Sequence, residues 1–269
     1  MHILLTNDDG YFAPGLQTLY QALKAGTNHE ISIVAPDSQR SATGHAITLF
    51  QPLLLTEHEL SAGGKGYAVS GMPSDCVKLA IQGELVAKPD LVISGLNFGP
   101  NLGTDVFYSG TVAAAMEGVL LGVPALAVSL ASLTYQDFEP AAAFLTEKLE
   151  LLIRHNKTGL LNLNFPGKPA AEWRGLKITR LGKAVYENVF ERRVNTKGRV
   201  YYWQAGDRAV ELERDTDLYA IQEDYVSLTP MHSELTDIAA LKVWREIFSE
   251  AEKQISEAEK QVSAGDKRV

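Results

Sequence analysis

Short apolar runs alternate with helical patterns along the first two thirds of the chain. The runs typical of buried strands are residues 3–6, 31–35, 91–94, 125–130, 160–165 and 176–181. Helical patterns fill intervals between them at residues 15–25, 75–82, 111–121 and 138–155, with Ser74 as the expected N-cap of the second helix. Strand runs that are apolar on both faces and alternate with helices indicate a parallel sheet covered on both sides. The pattern therefore predicts a doubly wound α/β fold with a mainly parallel sheet.

The pattern changes after residue 183. Two polar-aromatic runs, residues 186–193 and 199–204, flank the segment Asn195-Thr196-Lys197-Gly198, whose composition is typical of a turn. These runs predict a protruding β-hairpin that is too polar to belong to the core. We expect such an arm to be an oligomer contact rather than a catalytic element.

A second amphipathic region closes the chain. Residues 235–248 have the spacing of a helix, and residues 249–269 are dominated by Glu, Lys, Gln, Ser and Ala, which is typical of a solvated helix extension or a frayed tail. We therefore expect a catalytic core at residues 1–183. The remainder, residues 184–269, is expected to form the hairpin and helix of an oligomerisation region, with residues 225–235 returning to the core.

Composition narrows the class of protein. Of the 269 residues 45% are hydrophobic, and they are spread along the chain, so wholesale disorder is excluded. No apolar stretch approaches the roughly 20 residues of a membrane span, the N-terminus lacks the basic region of a secretory signal, and one Cys cannot form an internal disulfide. A net charge of −8 argues against broad binding to a nucleic-acid duplex. We expect a soluble cytoplasmic protein without a membrane partner.

The first strand is followed directly by two acidic residues. Ligands of doubly wound sheets bind outside the carboxyl ends of the strands, so these loops are the candidate sites. Asn7-Asp8-Asp9-Gly10 carries adjacent carboxylates that repel each other unless a cation lies between them. Oxygen ligands of this kind suit Mg²⁺, Mn²⁺ or Ca²⁺ rather than zinc. The alternative is a solvated turn, since Asn, Asp and Gly are common turn residues.

Two further strand-end loops carry polar side chains. The second loop, residues 35–45, contains Ser38 and Ser41, which are equally plausible as oxygen donors on their chemistry alone. The third loop is the glycine-rich stretch at residues 95–103, and it leads to Ser109-Gly110-Thr111 at the start of a helix. Free N–H groups at a helix N-terminus favour an anion, and Gly110 would let a ligand approach closely. Alternatively, Ser109 or Thr111 caps the helix.

Together these loops favour phosphate chemistry. Asp8 and Asp9 would hold a divalent cation, oxygens from neighbouring loops would complete its coordination, and the helix at Gly110 would receive a phosphate. Such an arrangement suits phosphomonoester hydrolysis. The chain has no GxxxxGK[ST] motif and no GxGxxG after its first strand, which disfavours P-loop nucleotide hydrolysis and dinucleotide binding.

The same segments resemble a known family. The sequence is similar to the stationary-phase survival protein SurE family of metal-dependent 5′/3′-nucleotidases. The matching segments are ILLTNDDGYFAPGL, VAPDSQRSATGHAITL, SGMPSDCVKLAI, PDLVISGLNFGPNLGTDVFYSGTVAAAMEG and YVSLTPMHSELTD. They extend in the family's order over nearly the whole chain, and the fourth is long and specific.

The resemblance implies roles for particular residues. The metal ligands would be Asp8, Asp9, Ser41 and Asn97, and the catalytic residues Asp8, Asp9 and Asn97. The phosphate or substrate contacts would be Asn7, Asn101, Ser109, Gly110 and Thr111. His45 is expected to support the site or face the substrate at most, His232 to lie at its periphery, and Cys76 to serve packing.

The resemblance also implies a fold, an activity and an assembly. The family fold is a Rossmann-like α/β domain whose C-terminal hairpin and exchanged helix build dimers and tetramers. The expected activity is hydrolysis of nucleoside 5′- and 3′-monophosphates to nucleoside and phosphate, and some members also shorten polyphosphate. One Mg²⁺ or Mn²⁺ per subunit would activate the attacking water, and the helix N-terminus would steady the phosphoryl oxygens.

Three alternatives remain open from the sequence. A covalent aspartyl-phosphate mechanism would need one Asp free of the metal, and NDDG lacks the DxD spacing of haloacid-dehalogenase phosphatases. A non-catalytic nucleotide- or metal-responsive oligomeric binding protein would use the same residues without turnover. A nucleotide-sugar glycosyltransferase would normally require DxD on a later strand, and the chain has none in a suitable place.

Overall fold

The computed structural model describes most of the chain: residues 1–61, 63–156, 159–187, 190–204, 207–210 and 213–265. The strands are β1 (His2–Thr6), β2 (Glu30–Pro36), β3 (Leu55–Glu59), β4 (Lys65–Val69), β5 (Leu91–Phe98), β6 (Ala125–Ala131), β7 (Leu160–Pro166), β8 (Leu176–Ile178), β9 (Ala184–Glu187), β10 (Phe190–Val194), β11 (Val200–Gln204), β12 (Asp207–Val210) and β13 (Val226–Met231). The α-helices are α1 (Pro14–Gly26), α2 (Pro73–Gln82), α3 (Gly110–Leu120), α4 (Glu139–His155), α5 (Asp217–Gln222) and α6 (Ile238–Gly265).

A nine-stranded sheet forms the centre of residues 1–232, in the order β3-β4-β2-β1-β5-β6-β7-β13-β8. All neighbours from β4 to β7 in this order are parallel, whereas β3 is antiparallel to β4 and β13 is antiparallel to β7. The predicted mainly parallel α/β fold is confirmed. The chain leaves β1 toward β2 on one side and β5 lies on the other, so the strand order reverses at β1 and opens a crevice at the strand carboxyl ends.

Helices cover the sheet on both faces. Ile3 and Leu5 point to one face, where apolar residues of α1 and α4 form the larger core cluster. Leu4 points to the other face, where residues of α2 and α3 form the second cluster. Cys76 is buried in this second cluster, which confirms its packing role. Each face of β1 is apolar because each is covered by helices, as the continuous apolar run predicted.

The predicted hairpin is present, and its residues pair as two antiparallel ribbons. β10 pairs with β11 from Phe190 opposite Gln204 to Val194 opposite Val200, and β9 pairs with β12. The predicted strand over residues 186–193 includes residues 188–189, which lie outside the described residues. Asn195 Oδ1 accepts the main-chain N–H of Lys197 at 2.9 Å and of Arg199 at 3.0 Å, which stabilises the predicted turn.

Some local predictions need correction. Ser74 is not the N-cap of α2: the helix begins at Pro73, Met72 is the N-cap, and the Asp75 carboxylate accepts the Met72 N–H at 2.8 Å. Proline at the first helical position displaced the start by two residues from the expected one. The strands β3 and β4 also went unpredicted, because β3 is largely exposed and lacks an apolar face.

The described residues after His232, 233–265, form a separate compact unit whose main element is α6. Its predicted amphipathic part, residues 235–248, becomes helical at Ile238, and the helix continues through Gly265 into the polar extension. Trp244 and Phe248 stack one turn apart, with ring centroids 6.2 Å from each other, and both are more than half exposed. None of the helices in the described ranges has the length and apolarity that a bilayer crossing requires.

Candidate metal and phosphate site

The reversal of strand order brings the first and third loops into direct contact. β1 and β5 are parallel neighbours, with Thr6 opposite Ser94, so the loops that follow these two strands leave the sheet at the same edge. The main-chain N–H of Phe98 donates to Asp9 Oδ2 at 2.9 Å. Two segments almost 90 residues apart in the chain therefore meet at the acidic pair.

Asn7 shapes the turn that presents the two carboxylates. Its Oδ1 accepts the Gly10 N–H at 3.1 Å, and its Nδ2 donates to the Gly10 carbonyl oxygen at 2.9 Å. Gly10 has φ +105°, and a Cβ there would lie 3.2 Å from the main chain of Ser38. Glycine is required because the first loop packs directly on the second. The structure thus uses Asn7, a predicted substrate contact, to hold the loop.

Asp8 is buried against the first turn of α3. One carboxylate oxygen accepts the hydroxyl of Thr111, and the main-chain N–H of Thr111 also stabilises the charge. Burial nevertheless dominates and, with a smaller contribution from the neighbouring Asp9 charge, raises the pKa of Asp8 to about 6. Burial also raises the pKa of Asp9, while the Phe98 N–H opposes that shift. A bound cation would therefore stabilise the ionised form of both carboxylates.

The start of α3 is shaped by Asp8. A Cβ at Gly110 would lie 2.8 Å from Asp8 Cβ and 3.1 Å from Pro73 Cγ, so only glycine lets Asp8 lie against the helix. The expectation that Gly110 admits a ligand is thus refined: the group that approaches it is Asp8. Ser109 caps the helix, since its Oγ accepts the Val112 N–H at 3.0 Å. The alternative that Ser109 is an N-cap is confirmed.

In the second loop, Gln39 connects Ser41 to the acidic pair. Gln39 Nε2 donates to Ser41 Oγ at 3.0 Å and approaches Asp9 Oδ1 at 3.5 Å, so one amide group links the two predicted ligands. The Ser38 hydroxyl instead donates to Asp37 at 2.8 Å. The Arg40 N–H donates to the Asp8 carbonyl oxygen at 2.7 Å and fixes this loop to the first.

A β-bulge determines the face of β5 on which Asn97 lies. Ser94 is aligned with Ala127 and Asn97 with Ser129, so β5 has one residue more than β6 over this stretch. The extra residue reverses the alternation, and Leu96 joins the core on the α1 and α4 side while Asn97 shares the face of Ser94. Asn97 Nδ2 donates to the Gly99 carbonyl at 2.8 Å, which directs Oδ1 away as an available oxygen donor.

Asn101 is buried at the end of the third loop, with 6% of its surface exposed. Its Nδ2 donates to Ser129 Oγ at 2.8 Å. Its main-chain N–H donates to Asn164 Oδ1 at 2.9 Å, and its carbonyl oxygen accepts the amides of Asn162 and Asn164. An amide nitrogen carries two hydrogens, so one of them can still face a phosphate.

The two histidines singled out in the sequence have different positions. His45 Nε2 lies 2.8 Å from the buried carboxylate of Glu117 on α3, which also contacts Lys78 Nζ at 3.4 Å. The bond to His45 and the Lys78 charge lower the pKa of Glu117. His45 thus ties the second loop to α3.

The prediction that His232 lies at the site's periphery is wrong within this chain. β13 is antiparallel to β7 and pairs Met231 with Leu160, the first residue of β7. His232 therefore leaves the sheet at the edge opposite to the site.

The donor set fits a hard divalent cation. No cluster of three or more His, Cys, Asp or Glu side chains able to hold a metal ion occurs among the described residues, so neutral oxygens must complete any coordination at Asp8 and Asp9. The Ser41 hydroxyl, which Gln39 links to Asp9, and the amide oxygen of Asn97, next in sequence to the Phe98 N–H that binds Asp9, are candidate donors of that kind. Oxygen-only sets of this type suit Mg²⁺ or Mn²⁺.

The chain matches the model of the family described as "Survival protein SurE" over residues 3–188, a range that includes every predicted site residue. A "5'-nucleotidase SurE" from Desulfitobacterium hafniense is 65% identical over 249 residues, covering 93% of this chain and 98% of that protein. The chain belongs to the SurE family. A SurE relative from Pelotomaculum thermopropionicum, also described as a 5'-nucleotidase, is 48% identical and covers 94% of this chain and 97% of its own. The crystal structure of SurE from Aquifex aeolicus superposes with a TM-score of 0.76 at 35% identity, covering 92% of this chain and 99% of that one.

Sequence reasoning missed several residues that this SurE-family site uses. Gln39 gave no signal, because a single amide in a polar loop is ordinary. Asn162 and Asn164 did carry a signal: two amides at alternate positions in an otherwise apolar strand run lie on one face of a buried sheet. The apolar pattern predicted the strand over residues 160–165 but assigned no role to these two asparagines.

We expect Asp8→Asn to stabilise the metal-free SurE-family fold at neutral pH. Because the folded state raises the pKa of Asp8 from 3.8 to about 6, its contribution to stability is present below 3.8 and is lost as pH rises through 6. The free energy of unfolding of Asp8→Asn should exceed that of wild type at pH 7 by about 2 kcal/mol, and the gap should close toward pH 4. Urea denaturation with chelator between pH 4 and 8 measures this. Glu30→Gln, at an exposed carboxylate, is the control, and an unchanged pH slope in Asp8→Asn would contradict the assignment.

We expect Gly110→Ala to weaken metal binding by displacing Asp8. The added Cβ has no space between Asp8 and Pro73, so we expect Mn²⁺ affinity to fall by roughly 10- to 100-fold in calorimetric titrations. Gly118→Ala on the same helix is a matched control, because its Cβ would crowd Val92 at 2.8 Å, away from the site. That control should lose stability and keep its Mn²⁺ affinity. Equal loss of affinity in both variants would refute the role of Gly110.

Proposed function

We propose that this protein is a divalent-metal-dependent phosphomonoesterase that hydrolyses nucleoside 5′- and 3′-monophosphates to nucleoside and phosphate. The observation that carries the proposal is the pair of adjacent carboxylates at the strand-order reversal, where Asp8 is buried, Asp9 is half-buried, and desolvation raises the pKa of both. SurE relatives that share up to 65% of their residues with this chain are described as 5'-nucleotidases. The 3′ activity and a further activity on polyphosphate are part of the proposal.

Four residues would hold one Mg²⁺ or Mn²⁺ per subunit: Asp8, Asp9, Ser41 and Asn97. When bound, such a cation polarises a phosphoryl oxygen and lowers the pKa of a bound water. Asp8 is the most firmly placed donor, since Thr111 and the absent side chain of Gly110 determine its position. The Asn97 Oδ1 and the Ser41 hydroxyl would supply neutral oxygen atoms, so the two carboxylates alone would balance the charge of the divalent cation.

The substrate phosphate would contact the start of α3 and the third loop. Ser109 accepts the Val112 N–H and keeps its hydroxyl hydrogen for a phosphoryl oxygen. Asn101 Nδ2 has one hydrogen bonded to Ser129 and one to offer. These neutral donors stabilise the charge that builds up on the phosphoryl oxygens as the bond to the nucleoside oxygen breaks.

Asp9 would orient the attacking water. It is less buried than Asp8, and Phe98 holds one of its oxygens while the other is approached only loosely by Gln39 at 3.5 Å. A carboxylate with one fixed and one available oxygen can accept a proton from water. The buried, doubly hydrogen-bonded carboxylate of Asp8 disfavours the alternative of a covalent aspartyl-phosphate.

We also propose that the C-terminal elements assemble the protein into a dimer or tetramer, with the hairpin and an exchanged α6 as contacts. Large apolar side chains of the hairpin are more than half exposed, among them Phe190, Tyr202 and Trp203. An exposed apolar surface of this kind is typical of an interface. The boundary of the catalytic core at residue 183 and the return of residues 225–235 belong to this proposal. A cytoplasmic location agrees with the one buried free cysteine, Cys76.

We expect phosphate release from 5′-AMP and 3′-AMP in the presence of Mg²⁺ or Mn²⁺ and none with chelator. Asp8→Asn and Asp9→Asn should each lower kcat/KM by at least about 100-fold, because each removes a charge from the cation's ligands. A colorimetric phosphate assay with a panel of nucleotides and metals measures this, with Glu30→Gln as the unaffected control. If the folded protein binds Mn²⁺ but releases no phosphate from any nucleotide, the non-catalytic binding protein replaces this proposal.

We expect deletion of residues 186–204 to lower the assembly state without changing the metal site. The hairpin carries none of the proposed ligands, so Mn²⁺ affinity should stay within about 2-fold of wild type, well inside the effect of losing a ligand contact. Light scattering measures the mass and calorimetry the affinity. An unchanged mass would refute the role of the arm.

A further inference from the structure

A pair of asparagines inside the sheet holds the third loop. Asn162 and Asn164 lie two residues apart on β7, so both point to the face that α2 and α3 cover. Both are fully buried. Their side chains bond to Asn101, about 60 residues earlier in the chain, rather than to the neighbouring strands.

Asn164 binds Asn101 as a neighbouring strand would. Its Oδ1 accepts the Asn101 N–H at 2.9 Å, and its Nδ2 donates to the Asn101 carbonyl oxygen at 3.0 Å. One side-chain amide thus satisfies both main-chain groups of a single residue, a pairing that fixes position and orientation together. Asn162 adds one bond to the same carbonyl at 2.9 Å.

Asn164 lies in register with Asn97, one of the proposed metal ligands. Asn97 is aligned with Ser129, and Ser129 with Asn164, so the three side chains form one row across β5, β6 and β7. Asn97 begins the segment that Asn101 ends. Midway, the Gly99 carbonyl accepts the Asn97 amide and the Gly99 N–H donates to the Leu130 carbonyl at 3.0 Å. The segment is therefore held at its start, its middle and its end.

We propose that Asn164, assisted by Asn162, is a positioning residue that sets the Asn97–Asn101 segment for binding the cation and the phosphate, an inference that rests on the proposed function. A buried amide costs free energy unless it is hydrogen-bonded, whereas an apolar side chain at the same position would need no partner. Packing alone therefore does not explain asparagine at these two positions. All three hydrogen bonds that the two amides make are with the main chain of Asn101: two are donated to its carbonyl oxygen and one is accepted from its N–H. Asn164 acts through the segment and touches neither cation nor substrate.

The test compares Asn164→Leu and the nearly isosteric Asn164→Asp with Ser227→Ala. Ser227 is aligned with Asn164 on β13, is fully buried, and its hydroxyl has no partner within the described ranges, so its removal is a matched control. Asn164→Leu should raise the Kd for Mn²⁺, measured without substrate, by about 10-fold and lower kcat/KM for 5′-AMP by about 100-fold. Asn164→Asp keeps the acceptor for the Asn101 N–H and should lie between Asn164→Leu and wild type. Ser227→Ala should match wild type.

A double-mutant cycle separates positioning from general stability. If Asn164 acts on the cation through Asn97, Asn164→Asp should weaken Mn²⁺ binding in wild type and add little in the Asn97→Ala background. Folded Asn164 variants that melt at a lower temperature but bind Mn²⁺ and turn over like wild type would overturn the proposal. A wild-type protein that binds Mn²⁺ yet releases no phosphate would refute the proposed function alone, because the Asn164 variants still report through Mn²⁺ affinity.

Discussion

The site depends on the contact between the buried carboxylate of Asp8 and the first turn of α3. The hydroxyl and N–H of Thr111 and the positive end of the helix stabilise the charge, whereas burial opposes it and raises the pKa to about 6. The destabilisation by burial is the larger effect, so the hydrogen bonds to Thr111 do not fully compensate the ionised carboxylate for its loss of water. Gly110 makes this closeness possible because it has no side chain. A buried, incompletely compensated carboxylate with a fixed position is a ready ligand for a cation.

The other parts of the site are built around this contact by hydrogen bonds between loops. The Arg40 N–H holds the second loop to the carbonyl of Asp8, and the Phe98 N–H holds the third loop to Asp9. Asn164 fixes the far end of the third loop from inside the sheet. Each loop is thus attached to a rigid strand or to another loop at a main-chain atom. Such attachment keeps ligand atoms in place whether or not a substrate is bound.

The sequence by itself determined the class of fold and indicated where in that fold the candidate site lies. Apolar runs and helical spacing are local properties, and they predicted a parallel sheet covered on both faces, which the structure confirms. Because ligands of such sheets bind at strand carboxyl ends, the sequence alone indicates the loop with Asp8 and Asp9 and the segment 109–111 as the candidate site. The motifs also carried the resemblance to the SurE family.

Only the tertiary structure decided what each side chain faces. The alternation of a regular strand would put Asn97 on the wrong face, and a bulge that β5 forms against β6 corrects it. The antiparallel direction of β13 moves His232 to the opposite edge, and Gln39 links Ser41 to Asp9 whereas Ser38 bonds to Asp37. These outcomes depend on register and direction between segments that lie 30 or more residues apart in the chain. Local patterns carry no record of such long-range pairings, so sequence reasoning could propose residues for the candidate site but not their arrangement.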